Sequence, residues 1–361
     1  VNVAMTFEAT QFISPLTFQS ITHHPVATNL FDPGSELAMD HVALAQRADL
    51  IVVAPATANI IAKLSHGMAD DVVTTTALAS PAPTLIAPAM DGNMWQNQAT
   101  QENADRLRNR GVTIVGPLKG RLASGMLGMG RMAEPLDIVD QIRAALGSHG
   151  DLSDKKFVVS AGGTQESLDP VRMITNHSSG KMGFALARAA RDSGASTVLI
   201  TGPTTLPKPA TVEVIEVTTA LEMLAAVEQA CKGADALIMA AAVSDYRPKA
   251  SATQKIKKEP QVLSLELIKN PDIIATIKGP IVKVGFAAES EDLVQNALQK
   301  MRLKNLDLII ANDITEPASG FGSDSNRVTI LDKQGTADNL PLLNKDEVAH
   351  NIVERIKKLL T

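Results

Sequence analysis

Short apolar runs alternate with stretches of helical spacing along the whole chain. Early on, segments 49–57 and 84–90 are apolar on both faces, whereas 41–48 and 103–110 repeat apolar residues at helical intervals. Strands that are apolar on both faces and separated by helices are typical of a mostly parallel sheet covered on two sides. The pattern therefore predicts an α/β fold.

The alternation is interrupted by the polar, glycine-rich segment 147–156, which has no apolar periodicity. Because 361 residues exceed what one core normally uses, we predict two three-layer, parallel-sheet domains. They would occupy residues 1–147 and 157–361, joined by a linker over 148–156. Open sheets of this kind bind ligands at the carboxyl ends of their strands.

In the second domain we predict a strand and glycine turn over 156–164, a helix over 179–194 and a strand over 236–246. The run "RVTILD" near the C-terminus is predicted as an edge hairpin strand. At the other end, "VNVAMT" reads as a strand that Val1 opens without an initiator Met. We therefore expect the sequence to begin inside a domain.

Composition narrows the class of protein. The chain is 45% apolar and 20% charged with a net charge of −5, and only 3% of it is aromatic. This argues against a nucleic-acid or membrane-surface protein, which needs a basic field or stacking platforms. A single cysteine, Cys231, excludes a disulfide framework and fits a reducing cytoplasm. The charge-free stretch 72–90 carries three prolines, which argues against a membrane-spanning helix. We therefore predict a cytoplasmic globular protein.

Two glycine-rich turns in the second domain could cradle a phosphate. "SAGGTQE" places Gly162 and Gly163 just after a strand, and "HSSGKMG" (177–183) opens a helix. Neither is a dinucleotide fingerprint. The second is no Walker loop either, because Met182 replaces the Ser/Thr and Thr175 the first Gly. Nucleotide binding and simple helix–strand packing both remain open on these residues.

Further charged residues follow a strand in the same domain. "AAAVSDYRPK" contains Asp245, and a basic run (254–259) and "KNPDII" (269–274) come next. A solvated face would explain the basic run alone, but an acid and lysines beside a glycine turn favour a nucleotide with its metal. A short-chain dehydrogenase needs Tyr-x-x-x-Lys, and the spacing from Tyr246 to Lys249 fails by one residue.

The first domain has candidate residues at the ends of its strands. His41 begins a helix, "PATANI" (55–60) and "PAMDGNMW" (88–95) end two strands, and "LASGMLGMGRM" (122–132) reads as a mobile flap with Arg131 at its base. A surface histidine, a turn and a plain loop would be the structural explanations of the same residues.

Taken in order, these motifs resemble the bifunctional phosphopantothenoylcysteine decarboxylase / phosphopantothenate–cysteine ligase family of coenzyme A biosynthesis. "LDPVRMITNHSSGKMGFALA", "AAVSDYR", "KIKK", "KNPDI", "VGFAAE" and "KNLDLIIAND" are similar to the ligase signatures, and "PATAN", "PAMxxxMW" and "GxGRM" to those of flavin-dependent cysteine decarboxylases. The resemblance implies a flavodoxin-like FMN domain, N-terminally incomplete by one βα unit of roughly 30 residues, followed by a Rossmann-like CTP domain.

For the ligase, the resemblance implies that CTP activates the carboxylate of phosphopantothenate as an acyl-cytidylate, which the amine of cysteine attacks. Asn176 and Lys255 would be catalytic and Arg172 would bind substrate. Mg²⁺ would arrive with CTP. The CTP-binding positions would be Ala241, Asp245, Lys255, Pro271, Asp272, Ile273, Ile274, Phe286, Lys300 and Lys304.

For the decarboxylase, the resemblance implies that FMN oxidises the cysteinyl thiol, after which CO₂ leaves and the product is reduced and protonated. His41 would be catalytic, and Asp91 and Arg131 would bind substrate. FMN would be held by Pro55, Thr57 and Asn59. The family also implies trimers of the flavin domain and dimers of the ligase domain.

This chain departs from the family pattern at two positions. Asp91 replaces an Asn, and Ser124 replaces the Cys that serves as general acid. A thiol titrates near pH 8.5 and a serine hydroxyl is a far weaker acid. We therefore expect an intact ligase and an impaired decarboxylase. Two alternatives are a non-catalytic flavoprotein that regulates a partner protein and, less favoured by the motifs, an NAD-dependent reductase.

Overall fold

The computed structural model describes residues 1–31, 40–257, 264–289, 293–313 and 322–360. They form two compact units, Val1–Leu146 and Gly147–Thr361. Within these ranges no helix is long and apolar enough to cross a membrane. Both units are α/β, which confirms the predicted fold class.

The first unit contains eight helices and seven short strands among its described residues. Its helices are α1 (Phe7–Thr10), α2 (Pro15–Thr22), α3 (Asp40–Arg47), α4 (Ala58–His66), α5 (Val72–Ala79), α6 (Gly92–Gln96), α7 (Gln98–Asn109) and α8 (Pro135–Gly147). Its strands are β1 (Val3–Ala4), β2 (Val26–Ala27), β3 (Ile51–Ala56), β4 (Thr84–Pro88), β5 (Thr113–Ile114), β6 (Leu118–Arg121) and β7 (Leu127–Arg131).

A parallel sheet of β3, β4 and β5 lies at the centre of the first unit. Residues Leu85–Pro88 of β4 are all buried, as predicted for a strand apolar on both faces. Ile61 of α4, Ile86 of β4 and Leu107 of α7 share one core. β1 and β2 form a separate parallel pair, and β6 and β7 an antiparallel hairpin, hereafter the flap.

The second unit holds the larger sheet. Its strands are β8 (Lys156–Ala161), β9 (Gln165–Ser167), β10 (Met173–Thr175), β11 (Ser196–Thr201), β12 (Glu213–Glu216), β13 (Ala236–Met239), β14 (Tyr246–Pro248), β15 (Leu267–Lys269), β16 (Val282–Glu289), β17 (Leu308–Asp313), β18 (Ser325–Asn326), β19 (Val328–Asp332), β20 (Ala337–Asn339) and β21 (Leu343–Asn344). Its helices are α9 (Lys181–Asp192), α10 (Ala220–Ala230), α11 (Ile273–Thr276), α12 (Leu293–Lys304) and α13 (Lys345–Leu360).

The strand order of this sheet is β12-β11-β8-β13-β16-β17-β19-β20, and the first six strands are parallel. Counted along the unit, the parallel strands follow the order 3-2-1-4-5-6 of dinucleotide-binding folds. Neighbouring residues of β8 face opposite cores: Phe157 packs with α9 and α13, and Val158 with α10 and α12. The predicted edge hairpin strand "RVTILD" is β19, and it does form a hairpin, with β20. It is not the edge strand, because β17 pairs with its other side and β20 lies at the edge.

Two other predicted elements differ from the structure. The strand predicted over 236–246 ends at Met239, because the backbone beyond it turns to hydrogen-bond the loop after β8: the Ala242 N–H donates to Gly162 O at 2.8 Å. The predicted linker packs on the second unit: Leu152 is buried and its N–H donates to Ser193 O at 3.0 Å. Close packing explains its glycines, since a Cβ on Gly150 would lie 2.3 Å from Ser193 O.

Candidate functional site

The carboxyl ends of β3 and β4 and the flap are joined by backbone hydrogen bonds. The Ala89 N–H, just after β4, donates to Ala56 O at the end of β3 at 3.0 Å. The next residue, Met90, donates to Gly130 O of the flap at 2.9 Å. Gly130 permits this approach, because its φ is +146° and a Cβ there would lie 2.1 Å from Met90 O. The segments that carry the predicted flavin- and substrate-binding residues of the decarboxylase therefore lie together at one edge of the sheet.

The two departures from the family pattern contact each other at this edge. The Ser124 hydroxyl, in the turn of the flap, donates to Asp91 Oδ2 at 2.8 Å. The other carboxylate oxygen of Asp91 accepts from the Asn93 N–H at 3.0 Å and caps α6. Asp91 therefore fixes the flap turn to the end of β4, and the hydroxyl proton of Ser124 points at a carboxylate.

The predicted flavin-binding residues follow β3. Pro55, Thr57 and Asn59 are exposed, and the Thr57 hydroxyl caps α4 by accepting from the Ile60 N–H at 3.3 Å. An exposed strand end that leads into a helix N-terminus presents backbone N–H groups to an anionic ligand. These residues fit a role at the rim of a phosphate-bearing cofactor.

His41 and Arg131, two further residues predicted for the decarboxylase, have different surroundings. His41 lies on α3, and its Nδ1 is buried without a hydrogen-bond partner in the described part of the chain. A buried, unpaired ring nitrogen is costly, and a bound ligand would satisfy it. Arg131, at the end of the flap, forms an ion pair with Glu134. A cavity of about 560 Å³ lies elsewhere in this unit, between α1 and residues 28–29, and none of the predicted site residues line it.

In the second unit, the loops after β8 and β13 meet at the carboxyl edge of adjacent parallel strands. Thr164 accepts from the Ser244 N–H at 3.0 Å through its hydroxyl, and the Ala241 N–H donates to Ser160 Oγ at 3.1 Å. Strand order reverses at this position, which is where open α/β sheets bind ligands. The hydroxyl of Ser244, a residue only 4% exposed, has no hydrogen-bond partner among the described residues, which fits a site completed by a ligand.

Asn176 is brought to the same loops by the β9–β10 hairpin. The Thr175 hydroxyl donates to Thr164 O at 2.8 Å, and Asn176 Nδ2 donates to Ala242 O at 3.3 Å. The exposed Asn176 side chain therefore lies beside Ala242, the residue that follows the predicted CTP-binding position Ala241.

The "KNPDII" segment is attached to the loop that carries Asp245. Asn270 is 6% exposed; its N–H donates to Asp245 O and its Nδ2 to Ser244 O, each at 2.8 Å. Arg247 donates to Asn270 Oδ1 at 2.8 Å. Asn270 thus links the loops that carry Asp245 and Pro271.

Lys304, another predicted CTP-binding residue, forms an ion pair with Asp272 of the "KNPDII" segment, with Nζ and Oδ2 2.9 Å apart. Lys300 lies on the same helix, α12, and Phe286 of β16 is half-buried against the core. The side chains of Ile273 and Ile274 are 3% and 5% exposed within the core, so only their backbone is available to a nucleotide.

Lys255 is exposed and lies in a segment held by the tip of the β9–β10 hairpin. Asp169, 2% exposed, accepts from the Ile256 N–H at 3.1 Å and from Arg172 Nη2 at 2.6 Å. Arg172 also donates to Ile256 O at 3.0 Å. The hydrogen bonds from Arg172 hold the pKa of the Asp169 carboxyl well below its usual range. Arg172, a predicted substrate ligand, is therefore committed in part to the segment around Lys255.

Sequence reasoning assigned no role to Asp169, Asn270, Ser244 or Thr164. All four stand inside motifs of the sequence, namely "LDPVR", "KNPDI", "AAVSDYR" and "SAGGTQE" respectively. Their burial as polar residues could not be read from the sequence. In the described ranges, no group of three or more His, Cys, Asp or Glu side chains is arranged to hold a metal ion.

Comparison with known proteins defines the class of protein. The family model "Flavoprotein" matches residues 1–147, and "DNA/pantothenate metabolism flavoprotein C-terminal domain" matches residues 152–360. The chain therefore combines a flavoprotein domain with a pantothenate-metabolism domain.

Individual relatives match over almost the full chain. The coenzyme A biosynthesis bifunctional protein CoaBC of Vibrio cholerae is 45% identical over 362 residues, covering 99% of this chain and 90% of the relative. The protein of the same name from Bacillus subtilis is 43% identical over 365 residues, covering 99% and 90%. The crystal structure of the C-terminal domain of a CoaBC protein is 39% identical, with a TM-score of 0.51, covering 58% of this chain and 97% of that one.

This chain belongs to the family of bifunctional coenzyme A biosynthesis proteins. The membership confirms the resemblance drawn from the motifs. It also argues against the NAD-dependent reductase.

Proposed function

We propose that this chain is a bifunctional enzyme of coenzyme A biosynthesis, which ligates cysteine to phosphopantothenate and decarboxylates the phosphopantothenoylcysteine formed. The observation that supports this most is the set of loops in the second unit. There hydrogen bonds join the loops that carry Asn176, Ala241, Asp245 and Pro271. Lys304 is held beside them by its ion pair with Asp272. The intact set favours an enzyme over a regulatory flavoprotein.

For the ligase, we propose that CTP is the nucleotide and that Mg²⁺ enters with its triphosphate. A carboxylate is a poor electrophile, so it must be converted to an acyl-cytidylate before the amine of cysteine attacks. Lys255 and Lys304 would stabilise negative charge on the phosphates. Asn176, beside Ala242, would hold the acyl-cytidylate as cysteine attacks.

Release of pyrophosphate from CTP, dependent on phosphopantothenate and measured with and without cysteine, tests this assignment. We expect CTP to outperform ATP by far, and equal rates with the two nucleotides would refute the assignment. Asn176→Asp should form the acyl-cytidylate but use it slowly, so that it accumulates. Absence of the accumulated intermediate would refute the role of Asn176.

For the decarboxylase, we propose that the first unit binds FMN at the edge formed by β3, β4 and the flap. FMN, when bound, supplies the oxidation and the later reduction at the substrate sulfur and carbon. Pro55, Thr57 and Asn59 would hold it, and His41 would take or hold a proton near the reacting thiol. The visible absorbance spectrum of the purified protein tests for bound flavin directly. Protein that shows no flavin absorbance after incubation with FMN and removal of the unbound FMN would refute the proposal.

Asp91 would face the carboxylate of the substrate, with Arg131 at the base of the same flap. Two carboxylates repel each other, so Asp91 must be compensated by hydrogen bonds or a proton when substrate is bound. The Ser124 hydroxyl and the Asn93 N–H are two such donors.

We also propose that the protein is a homo-oligomer, with trimers formed by the flavin unit and dimers by the ligase unit. In support, α1, α2 and the loop between them expose large apolar side chains: Phe12 is 92% exposed and Leu16 is 68% exposed. Light scattering coupled to size-exclusion chromatography tests the state, and a monomer at micromolar concentration would refute it.

A further inference from the structure

We infer that Asp169 is a positioning residue of the ligase, which acts through Arg172 and the backbone of Ile256 to hold Lys255 at the nucleotide site. The inference rests on the proposed ligase function, in which Lys255 stabilises charge on the phosphates. It adds a residue to which the motifs assigned no role.

The first step is the hydrogen bonding of the Asp169 carboxylate. Oδ1 accepts from the backbone N–H groups of Val171 and Arg172, each at 2.8 Å. Oδ2 accepts from Arg172 Nε at 2.9 Å, Arg172 Nη2 at 2.6 Å and the Ile256 N–H at 3.1 Å. A carboxylate with a fully buried side chain that accepts five hydrogen bonds is a rigid anchor rather than a ligand for substrate.

The second step is that both backbone polar groups of Ile256, the residue after Lys255, bond to Asp169 or to its partner Arg172. Asp169 accepts from the Ile256 N–H, and Arg172 donates to Ile256 O. Residues 249–257, the part of this segment that the structure describes, form no strand or helix, so no sheet or helix ladder holds them. One further bond, from the Ala252 N–H to Leu168 O at 2.9 Å, attaches it to the same hairpin. Lys255 itself is exposed, and its position is therefore set by the neighbouring backbone.

The third step is that the same hairpin carries Asn176 at its other end. The tip holds Ile256, while the base is attached to the loop at Ala242 through the Asn176 side chain. One small rigid element therefore connects the two proposed catalytic residues of the ligase. Displacement of a catalytic group by about 1 Å can cost about 10²-fold in rate.

The test compares Asp169→Asn with Asp338→Asn. The control variant breaks another Asp–Arg pair of the same unit, Asp338 with Arg355 of α13. Both changes remove one carboxylate charge from an ion pair. We expect Asp169→Asn to lower kcat for acyl-cytidylate formation by about 10²-fold, with the KM for cysteine unchanged, and Asp338→Asn to leave kcat near wild type.

A readout independent of activity follows the segment itself. Trypsin cleaves after lysine, and the N–H of the Lys255–Ile256 peptide bond is the group that donates a hydrogen bond to Asp169. We expect faster cleavage after Lys255, and faster hydrogen exchange at the Ile256 amide, in Asp169→Asn than in wild type or Asp338→Asn. Unchanged cleavage and exchange would overturn the inference. Arg172→Lys, which loses the two-nitrogen contact with Asp169 but keeps the charge, should show the same two changes if Asp169→Asn does not fold.

A mutant cycle separates positioning from a general structural effect. If Asp169 acts through Lys255, Asp169→Asn should lower kcat little further in a Lys255→Arg background. Losses that multiply would overturn the inference. If the wild-type chain released no pyrophosphate from CTP, the proposed function would fail, and cleavage and exchange would still decide whether Asp169 holds the segment.

Discussion

The contact between Ser124 and Asp91 leads to a prediction about the decarboxylase. The Ser124 hydroxyl has one proton, and it points at Asp91 Oδ2 over 2.8 Å. Oxidation and loss of CO₂ do not need residue 124, but the final reduction needs a proton donor beside the substrate. We expect the FMN-loaded wild-type protein to release CO₂ once per site and then turn over slowly.

Replacing Ser124 with Cys supplies a group that titrates near pH 8.5. A general acid is typically worth about 10²- to 10⁴-fold in rate, so we expect multiple-turnover formation of 4′-phosphopantetheine to rise within that range. The nearby Asp91 carboxylate makes the thiol a weaker acid, because negative charge disfavours the thiolate. Asp91→Asn combined with Ser124→Cys should therefore be faster than Ser124→Cys alone.

Ser124→Ala measures what the hydroxyl contributes. Its loss removes one exposed hydrogen bond between the flap and α6, worth about 0.5–1.5 kcal/mol at most, and we expect the slow turnover to change little. Ser20→Cys, on the exposed surface of α2, is the control for adding a thiol elsewhere in the unit.

The assay follows CO₂ and 4′-phosphopantetheine in the same reaction, with the visible flavin absorbance recorded throughout. Wild-type protein should release CO₂ in excess over the final thiol, whereas Ser124→Cys should release the two in equal amounts. Many equal turnovers by the wild type and by Ser124→Ala would refute the reasoning, because another group would then supply the proton.

Three further predictions concern the second unit. Gly183→Ala should lower the free energy of unfolding by about 1–3 kcal/mol, since the new Cβ would lie 2.5 Å from Ala161 Cβ; denaturant unfolding as stable as wild type would contradict this. Burial raises the pKa of the Cys231 thiol to about 11. Its reaction with a disulfide reagent at pH 8 should therefore be at least about tenfold slower than in the denatured chain, because the smaller thiolate fraction outweighs the greater nucleophilicity of each thiolate; equal rates would show the thiol to be accessible and unperturbed. The pKa of Asp169 is lowered by its hydrogen bonds from Arg172, so its ionised form contributes stability that is present above about pH 4 and is lost as the pH falls through the folded-state pKa. Between about pH 6 and pH 3 the free energy of unfolding, measured with denaturant, should therefore fall more for wild type than for Asp169→Asn. Equal falls in the two proteins would argue against a stabilising Asp169–Arg172 ion pair.

Much of this protein could be predicted from local pattern. Runs of apolar residues on both faces predicted the parallel sheets, because a strand buried on two sides needs no polar alternation. The glycine turn at Gly162 and Gly163 and the motif around Asp245 pointed to one ligand site, since carboxyl ends of parallel strands share an edge. The departures at Asp91 and Ser124 were also visible in the sequence alone.

Only the tertiary structure decided which of these residues meet. Ser124 and Asp91 are 33 positions apart and Ile256 and Asp169 are 87 apart, and no periodicity specifies a hydrogen bond over such distances. The register of the sheet and the path of the loops set these contacts. The same is true of the broken strand after Met239, whose apolar residues continue the strand pattern while its backbone hydrogen bonds go to the loop at Gly162. Local patterning thus determined the elements, whereas the anchoring of Lys255 by a buried carboxylate arose from the packing of segments remote in sequence.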